Sequence, residues 1–296
     1  MQKVKILIGI SGGIDSMVLL SVLSILKEKY GFEIILIHIN HGYQKDAYKA
    51  EQFCVKMADN YAVKIHIMYL NPQEISGSFE AWSRQKRYRI MENIAEKYYY
   101  NWIVTAHHQD DNIETVYMKN KQNSNWISLI GIREKLRKIR RPMLQVSKEI
   151  ITSYAINNLI KWVDDPTNKD NRFLRNNIRN QLIPKEIIVD PDFKNKMINL
   201  SKRSMVRFLS IQKEIDKNKK YIVQNKSKDE KKDSIVLNKQ NLLKISNDAR
   251  KILVHQLISE LKVNEFSLTS GHWSTFWQFI KNSRTGTVFE LDTYIS

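Results

Sequence analysis

The sequence predicts an α/β protein: a parallel sheet with helices on both faces, followed by a smaller, mainly helical C-terminal domain. Three observations carry that expectation. Apolar segments of strand length alternate with helical segments over roughly the first hundred residues. A glycine pair, Gly12-Gly13, stands between the first strand and the first helix. From Phe193 onward the pattern is that of long helices.

Taken in order, Lys5–Ile10 is short and apolar, and Met17–Lys29 spaces Val18, Leu19, Val22, Leu23 and Leu26 as a helix does. Phe32–Ile39 is β-rich, Ala47–Asp59 is helical, and Val63–Leu70 alternates again. Phe79–Lys97 reads as a long helix and Trp102–Thr105 as a short strand leading into a polar loop. In such sheets ligands bind at the carboxyl ends of strands. That puts weight on Ser11–Ser16, Asn40–Gly42 and Ala106–Glu114. Further on come a basic stretch, Arg133–Arg141, a helix over Lys148–Leu159 and a loop over Asp164–Arg172. Pro184 and Pro191 bracket an expected linker, placing the domains at 1–195 and 196–296. In the second, Asn225–Asp233 reads as a mobile charged loop, Leu237–Leu261 and Ser267–Lys281 as amphipathic helices, and Thr287–Leu291 as a final strand.

With 296 residues, 42% hydrophobic and 27% charged, the chain has ample material for a core. The apolar runs, such as Glu33–Asn40, are too short to span a bilayer, and the N-terminus carries no signal-peptide pattern. A cytoplasmic protein with no membrane partner is expected. The net charge of +17 favours polyanionic partners. A single cysteine, Cys54, excludes an intrachain disulfide, a redox pair and a cysteine zinc cluster, and its apolar neighbours make it a structural thiol.

The Ser11-Gly12-Gly13-Ile14-Asp15-Ser16 loop suits a polyphosphate. Its glycines let backbone amides approach an anion, Ser11 and Ser16 add hydroxyls, and the helix start adds its partial positive charge. Asp15 makes sense there only beside a cation or amine, for which magnesium is the candidate. The Walker pattern is absent. Instead the loop resembles the SGGxDS loop of the PP-loop ATP pyrophosphatases, which implies ATP as substrate.

The second loop, Thr105–Thr115, gathers His107, His108, Asp110, Asp111 and Glu114. Asp111 and Glu114 share one helical face, fit to hold magnesium or an ammonium group. His107 is a candidate acid, base or phosphate donor. A two-histidine, two-carboxylate zinc site and simple helix capping compete with these readings.

Five blocks in order make the resemblance specific. They are Ser11–Ser16; Asn40-His41-Gly42; Glu80-Ala81 with Arg84, Arg87 and Tyr88; Thr105–Thr115; and Trp162–Asn168 continuing into Arg175–Arg179. Arg141-Pro142-Met143-Leu144 matches as well. Together they resemble the short form of the tRNA(Ile)-lysidine synthetases, and the chain departs from that pattern at Lys119–Asn125. The resemblance implies adenylation by ATP of the wobble cytidine of an isoleucine tRNA bearing CAU, then displacement of AMP by the ε-amine of free L-lysine. It implies Ser11, Gly12, Gly13, Ile14, Asp15, Ser16 and His41 at the nucleotide, with Asp15 near magnesium. Arg84, Arg87, Arg175 and Arg179 would neutralise phosphate or the activated base, Asp111 and Glu114 would anchor lysine, and His107 would stabilise phosphate.

Sulfur-inserting relatives need cysteines that this chain lacks, and small-molecule relatives need no such basic chain. An RNA-binding module on an inactive nucleotide fold is the alternative of another class. Expected tRNA contacts are Arg133–Arg141, Lys169–Arg179 and the C-terminal helices. Trp273 and Trp277, near His272, are read as helix core in preference to a stacking surface.

Overall fold

The computed structural model describes residues 3–41, 47–75, 78–164, 170–227, 234–260, 270–282 and 284. Gly42, residues 165–169, the side chain of Trp273 and the expected strand over 287–291 lie outside them.

The chain divides into two compact units, Met1–Ser204 and Met205–Ser296. The first holds a six-stranded sheet. Strands β1 (Lys5–Ile10), β2 (Glu33–Asn40), β3 (Lys64–Tyr69), β4 (Trp102–Val104), β5 (Lys135–Leu136) and β6 (Ile139–Arg140) lie in the order β3-β2-β1-β4-β6-β5. All neighbouring pairs are parallel except β5 with β6, which form an antiparallel hairpin. Arg137 turns that hairpin with a φ of +49°.

Alternation along β1 sorts its side chains between two cores. Ile6, Ile8 and Ile10 pack against α1 (Ile14–Tyr30), α2 (Ala47–Asn60) and α5 (Lys148–Asn157) through Met17, Leu20, Cys54, Met57, Ile151 and Ala155. Leu7 faces the other way, toward Trp82, Met91 and Ala95 of α3 (Phe79–Lys97). Fully buried Leu7, Ile8 and Leu36 each contribute roughly 1.5–3 kcal/mol. Burial on both faces is why β1 and β2 read as continuous apolar runs.

A third core joins α4 (Gln109–Lys121) to the segments beyond residue 173, through Ile113, Val116, Tyr117, Ile178, Ile183, Phe193 and Met197. Here the expected linker is corrected. Leu174–Asn177 (α6) runs through a π-helical turn, Ile178–Leu182, into α7 (Ile183–Val189), with Pro184 in the first turn of α7. Proline is tolerated there because the first amides of a helix have no internal acceptor. A 30-residue helix, α8 (Phe193–Ile222), follows, and the division between units falls inside it. At the atypical Lys119–Asn125, α4 ends and Asn123 takes a φ of +48°, so asparagine fills a left-handed position that glycine ordinarily takes.

The second unit is mainly helical, with two corrections. Asn225–Ser227 belong to a strand: β7 (Val223–Ser227) pairs antiparallel with β8 (Ser234–Leu237), on either side of 228–233, which lie outside the described residues. The single helix expected over Leu237–Leu261 is two, α9 (Lys239–Lys244) and α10 (Asn247–Glu260), broken where Ser246 gives its backbone N–H and hydroxyl to Glu214 at 2.6 and 2.7 Å. The last helix described, α11, spans Ser270–Asn282; in it Trp277 is half-buried and edge-on to Phe276 at 5.1 Å. No helix among the described residues is long and apolar enough to cross a membrane.

Candidate active site

Chain order reverses at β1: β2 and β3 lie to one side, β4 and β6 to the other. Loops leaving the carboxyl ends of β1 and β4 therefore diverge around a crevice, the usual ligand position in such sheets. Two of the three loops singled out in the sequence, those after Ile10 and after Val104, are these two.

Gly12 holds a φ of +84°, a left-handed conformation that a side chain rarely adopts, and a β-carbon there would sit in ordinary contact with Phe53 and Cys54 Sγ at 3.4 and 3.5 Å. Gly13 caps α1 without a side-chain bond, so the first amides of α1, beginning at Ile14, are left for an anion. The serines hold the loop's shape: Ser16 Oγ donates to Gly13 O (2.8 Å), Ser11 N–H donates to Ser16 Oγ (3.3 Å), and Gly13 N–H donates to Ser11 Oγ (3.3 Å). Val163 N–H donates to Gly12 O at 3.0 Å and ties the Trp162–Asp164 segment to the loop. Beneath, Cys54 is buried 3.4 Å from His38 Nδ1, and burial pushes its thiol up to about 12. His41, at the end of β2, stands edge-on to Phe79 at 6.3 Å.

His108 connects the two loops. Buried at the start of α4, its Nε2 lies 3.7 Å from Asp15 Oδ2 and 3.5 Å from Asp111 Oδ2. Asp111 accepts the His108 backbone N–H at 3.0 Å, the capping exchange that starts the helix.

Around this centre the expected charges converge. Glu114, 3% exposed, accepts from Arg175 Nε (2.9 Å) and from Arg179 Nε and Nη2 (2.5 and 3.1 Å). Asp111 Oδ1 takes Arg179 Nη2 at 3.1 Å and Arg175 Nη2 at 3.4 Å. Burial pushes the Asp111 carboxyl up, but His108, Arg175 and His107 together outweigh it and hold it below its ordinary range. Arg84 on α3 is lowered, chiefly by its partial burial and then by Arg175 and Arg141, with Tyr88 opposing, while Arg87 on the same helix is exposed. Arg141 is buried and donates to Tyr88 Oη at 2.9 Å and to Arg133 O at 2.5 Å.

His107 Nδ1 lies 2.9 Å from Thr105 Oγ1. Burial, reinforced by Arg141, Arg84 and Arg175 against the pull of Asp111, holds its pKa well below the usual imidazole range. It is neutral at pH 7, which favours a hydrogen-bonding role over proton acceptance. In the tautomer where the Thr105 hydroxyl donates to Nδ1, Nε2 carries the proton and is the donor.

His108 entered the sequence reading only in the second-loop cluster with its zinc alternative and Arg141 only in a matched block and as an expected tRNA contact, while Lys148 and Lys194 escaped it as site residues. Lys148 Nζ lies 2.5 Å from Asp15 Oδ1, and its backbone N–H donates to Asp110 Oδ2 at 2.8 Å. Lys194 Nζ reaches Asp110 Oδ1 at 2.8 Å and Glu149 at 3.2 Å. Only the adjacency of His108 to His107 and of Arg141 to Pro142 gave a local signal. The lysines come from distant helices.

Among the described residues no group of three or more His, Cys, Asp or Glu is arranged to hold a metal, so the zinc alternative has no donor set there: Glu114 and Asp111 face arginines and His107 faces Thr105. Asp15 fits a magnesium ion arriving with phosphates, since that ion is commonly held by one or two carboxylates plus phosphate oxygens.

Comparison with known proteins gives the same picture of the first unit. A family model described as a PP-loop domain matches residues 1–186. A tRNA(Ile)-lysidine synthase of Francisella tularensis is 29% identical over 285 residues, 92% of this chain and 68% of that one. The synthase of Petrotoga mobilis is 33% identical over 202 residues, 67% and 65% of the respective chains, and that of Thermosipho africanus 31% over 198 residues, 66% and 46%. The chain thus spans roughly half to two thirds of these relatives' lengths. Among solved structures, a U34-tRNA thiolase of Methanococcus maripaludis superposes with a TM-score of 0.56 at 16% identity, over 68% of this chain and 71% of that one, a likeness of fold.

Proposed function

The chain belongs to the PP-loop domain family, and on that premise we propose that it uses ATP to join free lysine to the wobble cytidine of an isoleucine tRNA bearing CAU, in the cytoplasm. One observation carries the reading: through His108, the phosphate-loop carboxylate Asp15 and the second-loop carboxylate Asp111 face one centre.

The triphosphate lies against the uncapped amides at the start of α1, with Ser11, Gly12, Gly13 and Ser16 shaping the turn. Asp15 would hold magnesium, which supplies charge neutralisation at the phosphates when bound. The cytosine carbonyl oxygen attacks the α-phosphorus, forming an O–P bond as the bond to pyrophosphate breaks. Arg84 and Arg87 stand ready to neutralise charge that develops there, and His107 Nε2 donates to phosphate oxygen. The lysine ε-amine then attacks the activated ring carbon, loses a proton, and AMP departs with the former carbonyl oxygen. Asp111 and Glu114 anchor the incoming lysine by exchanging part of their pairing with Arg175 and Arg179, whose guanidinium groups turn to the adenylate.

Sulfur transfer through Cys54 is disfavoured. A buried thiol pushed up to about 12 supplies no thiolate at neutral pH.

The test is incubation with ATP, magnesium, labelled lysine and unmodified isoleucine tRNA bearing CAU, followed by counting label in the RNA. ATP-dependent label that vanishes in Asp15→Ala supports the reading. AMP release without label moves the nucleophile away from lysine. Neither label nor AMP from folded protein favours an RNA-binding module.

A further inference from the structure

The phosphate loop carries no cation of its own: Ser11–Ser16 contains one carboxylate and no lysine or arginine. A triphosphate arriving there meets a like charge at Asp15. The fold supplies the missing positive charge from another helix. Lys148 Nζ stands 2.5 Å from Asp15 Oδ1, across 133 positions of sequence.

Several contacts fix where that lysine starts. Ser147 caps α5, its hydroxyl accepting from Ile150 N–H at 3.4 Å. The Lys148 backbone N–H is held by Asp110 Oδ2, and Asp110 is itself held through Oδ1 by Lys194, which also reaches Glu149. The root of the side chain is thus anchored to α4 and to the beginning of α8. Its tip is not locked in: the side chain remains 39% exposed and its bond is to a carboxylate that a metal ion would claim. A lysine ammonium is a compact charge on a flexible stem, suited to exchanging one anionic partner for another.

We propose that Lys148 is a phosphate-binding residue of this site, holding Asp15 in the free protein and passing to the pyrophosphate moiety of ATP when nucleotide binds. The proposal rests on the ATP reading above and adds a residue and a direction to it. Lys148 acts on the β- and γ-phosphates, the part that leaves, and not on the nucleoside.

The direction makes it testable by ligand rather than by turnover. Calorimetric binding of ATP, AMP and inorganic pyrophosphate is measured on the full chain and on Lys148→Gln and Lys148→Arg, after thermal melting has established folding. Lys148→Gln is expected to weaken ATP and pyrophosphate about tenfold while AMP is unchanged, with Lys148→Arg recovering most of the loss. Equal pyrophosphate affinity in wild type and Lys148→Gln overturns the proposal, and so does an equal loss for AMP, which marks a structural residue. A wild-type chain that binds neither ATP nor AMP overturns the ATP reading itself, a result visible before any variant is made. Should Lys148→Gln not fold, acetylation of wild-type lysines with and without pyrophosphate decides: protection of Lys148 supports the proposal and equal labelling overturns it.

Discussion

Arg179 grips Glu114 at two points, Nε to Oε1 at 2.5 Å and Nη2 to Oε2 at 3.1 Å, while Arg175 takes the same carboxylate from four residues earlier. The two arginines share a face because that spacing returns to the same side of a helix, here across the passage from α6 into a π-helical turn. A buried carboxylate between two guanidinium groups is costly to break from either side. Glu114→Ala is expected to destabilise the first unit by about 2–3 kcal/mol, the buried-pair figure discounted because Arg179 is 40% exposed. Arg179→Lys, which loses the two-point grip, is expected to lie between wild type and that variant. Urea unfolding measures both, and unchanged midpoints would contradict the pairing.

His107 predicts a pH dependence. Its folded pKa is depressed, so between the ordinary imidazole value near 6.5 and the folded value the unfolded chain binds more protons than the folded one. Stability is therefore full above about pH 6.5 and falls as pH drops through that window, by up to about 1.4 kcal/mol per unit. His107→Gln removes this contribution. Unfolding free energies of wild type and variant between pH 7 and 4.5 are expected to differ in slope, the variant being flatter; parallel curves would contradict a neutral His107.

How much of this was legible is uneven. Strand length, apolar continuity and the glycine pair announced the sheet and the phosphate loop, because both follow from local pattern. The charged residues of the second loop were recognisable as a cluster for the same reason. Pro184 misled, since a proline in a first helical turn and a proline in a linker look alike without the packing of Ile183 behind it. The break at Ser246 was readable in principle from its capping chemistry, its hydroxyl accepting from Ala249 N–H at 3.3 Å, yet the apolar periodicity on both sides masked it. Lys148 was beyond reach: nothing near it in sequence reveals that α5 begins beside Asp15. That proximity is set by the packing of α5 beside α1 against β1.

Gly131 tests a close approach. At a φ of +71° it lies so near Asn112 that a β-carbon would collide with the amide oxygen that accepts from Ile132 N–H at 2.7 Å. Asn112 also donates to Ser201 Oγ, which donates to Ile130 O. Gly131→Ala is expected to cost about 1–3 kcal/mol from backbone strain, with the collision adding to it. A thermal midpoint within a degree of wild type would contradict that geometry.

The net charge of +17 predicts RNA binding that weakens steeply with salt. Lys135 and Arg137, exposed on the β5–β6 hairpin, are expected contacts. Replacing either with serine should reduce the slope of log affinity against log salt by about 1 if it meets a phosphate. An unchanged slope for both would remove the hairpin from the interface.

The most direct measurement of lysine transfer is mass spectrometry of the isoleucine tRNA after reaction with ATP and unlabelled lysine, read nucleotide by nucleotide across the anticodon. The expected result is a wobble cytidine heavier by one lysine less one water, present only with ATP and lost with Asp15→Ala. An unmodified cytidine, from folded protein that binds the RNA, would contradict the claim that this PP-loop chain joins lysine to it.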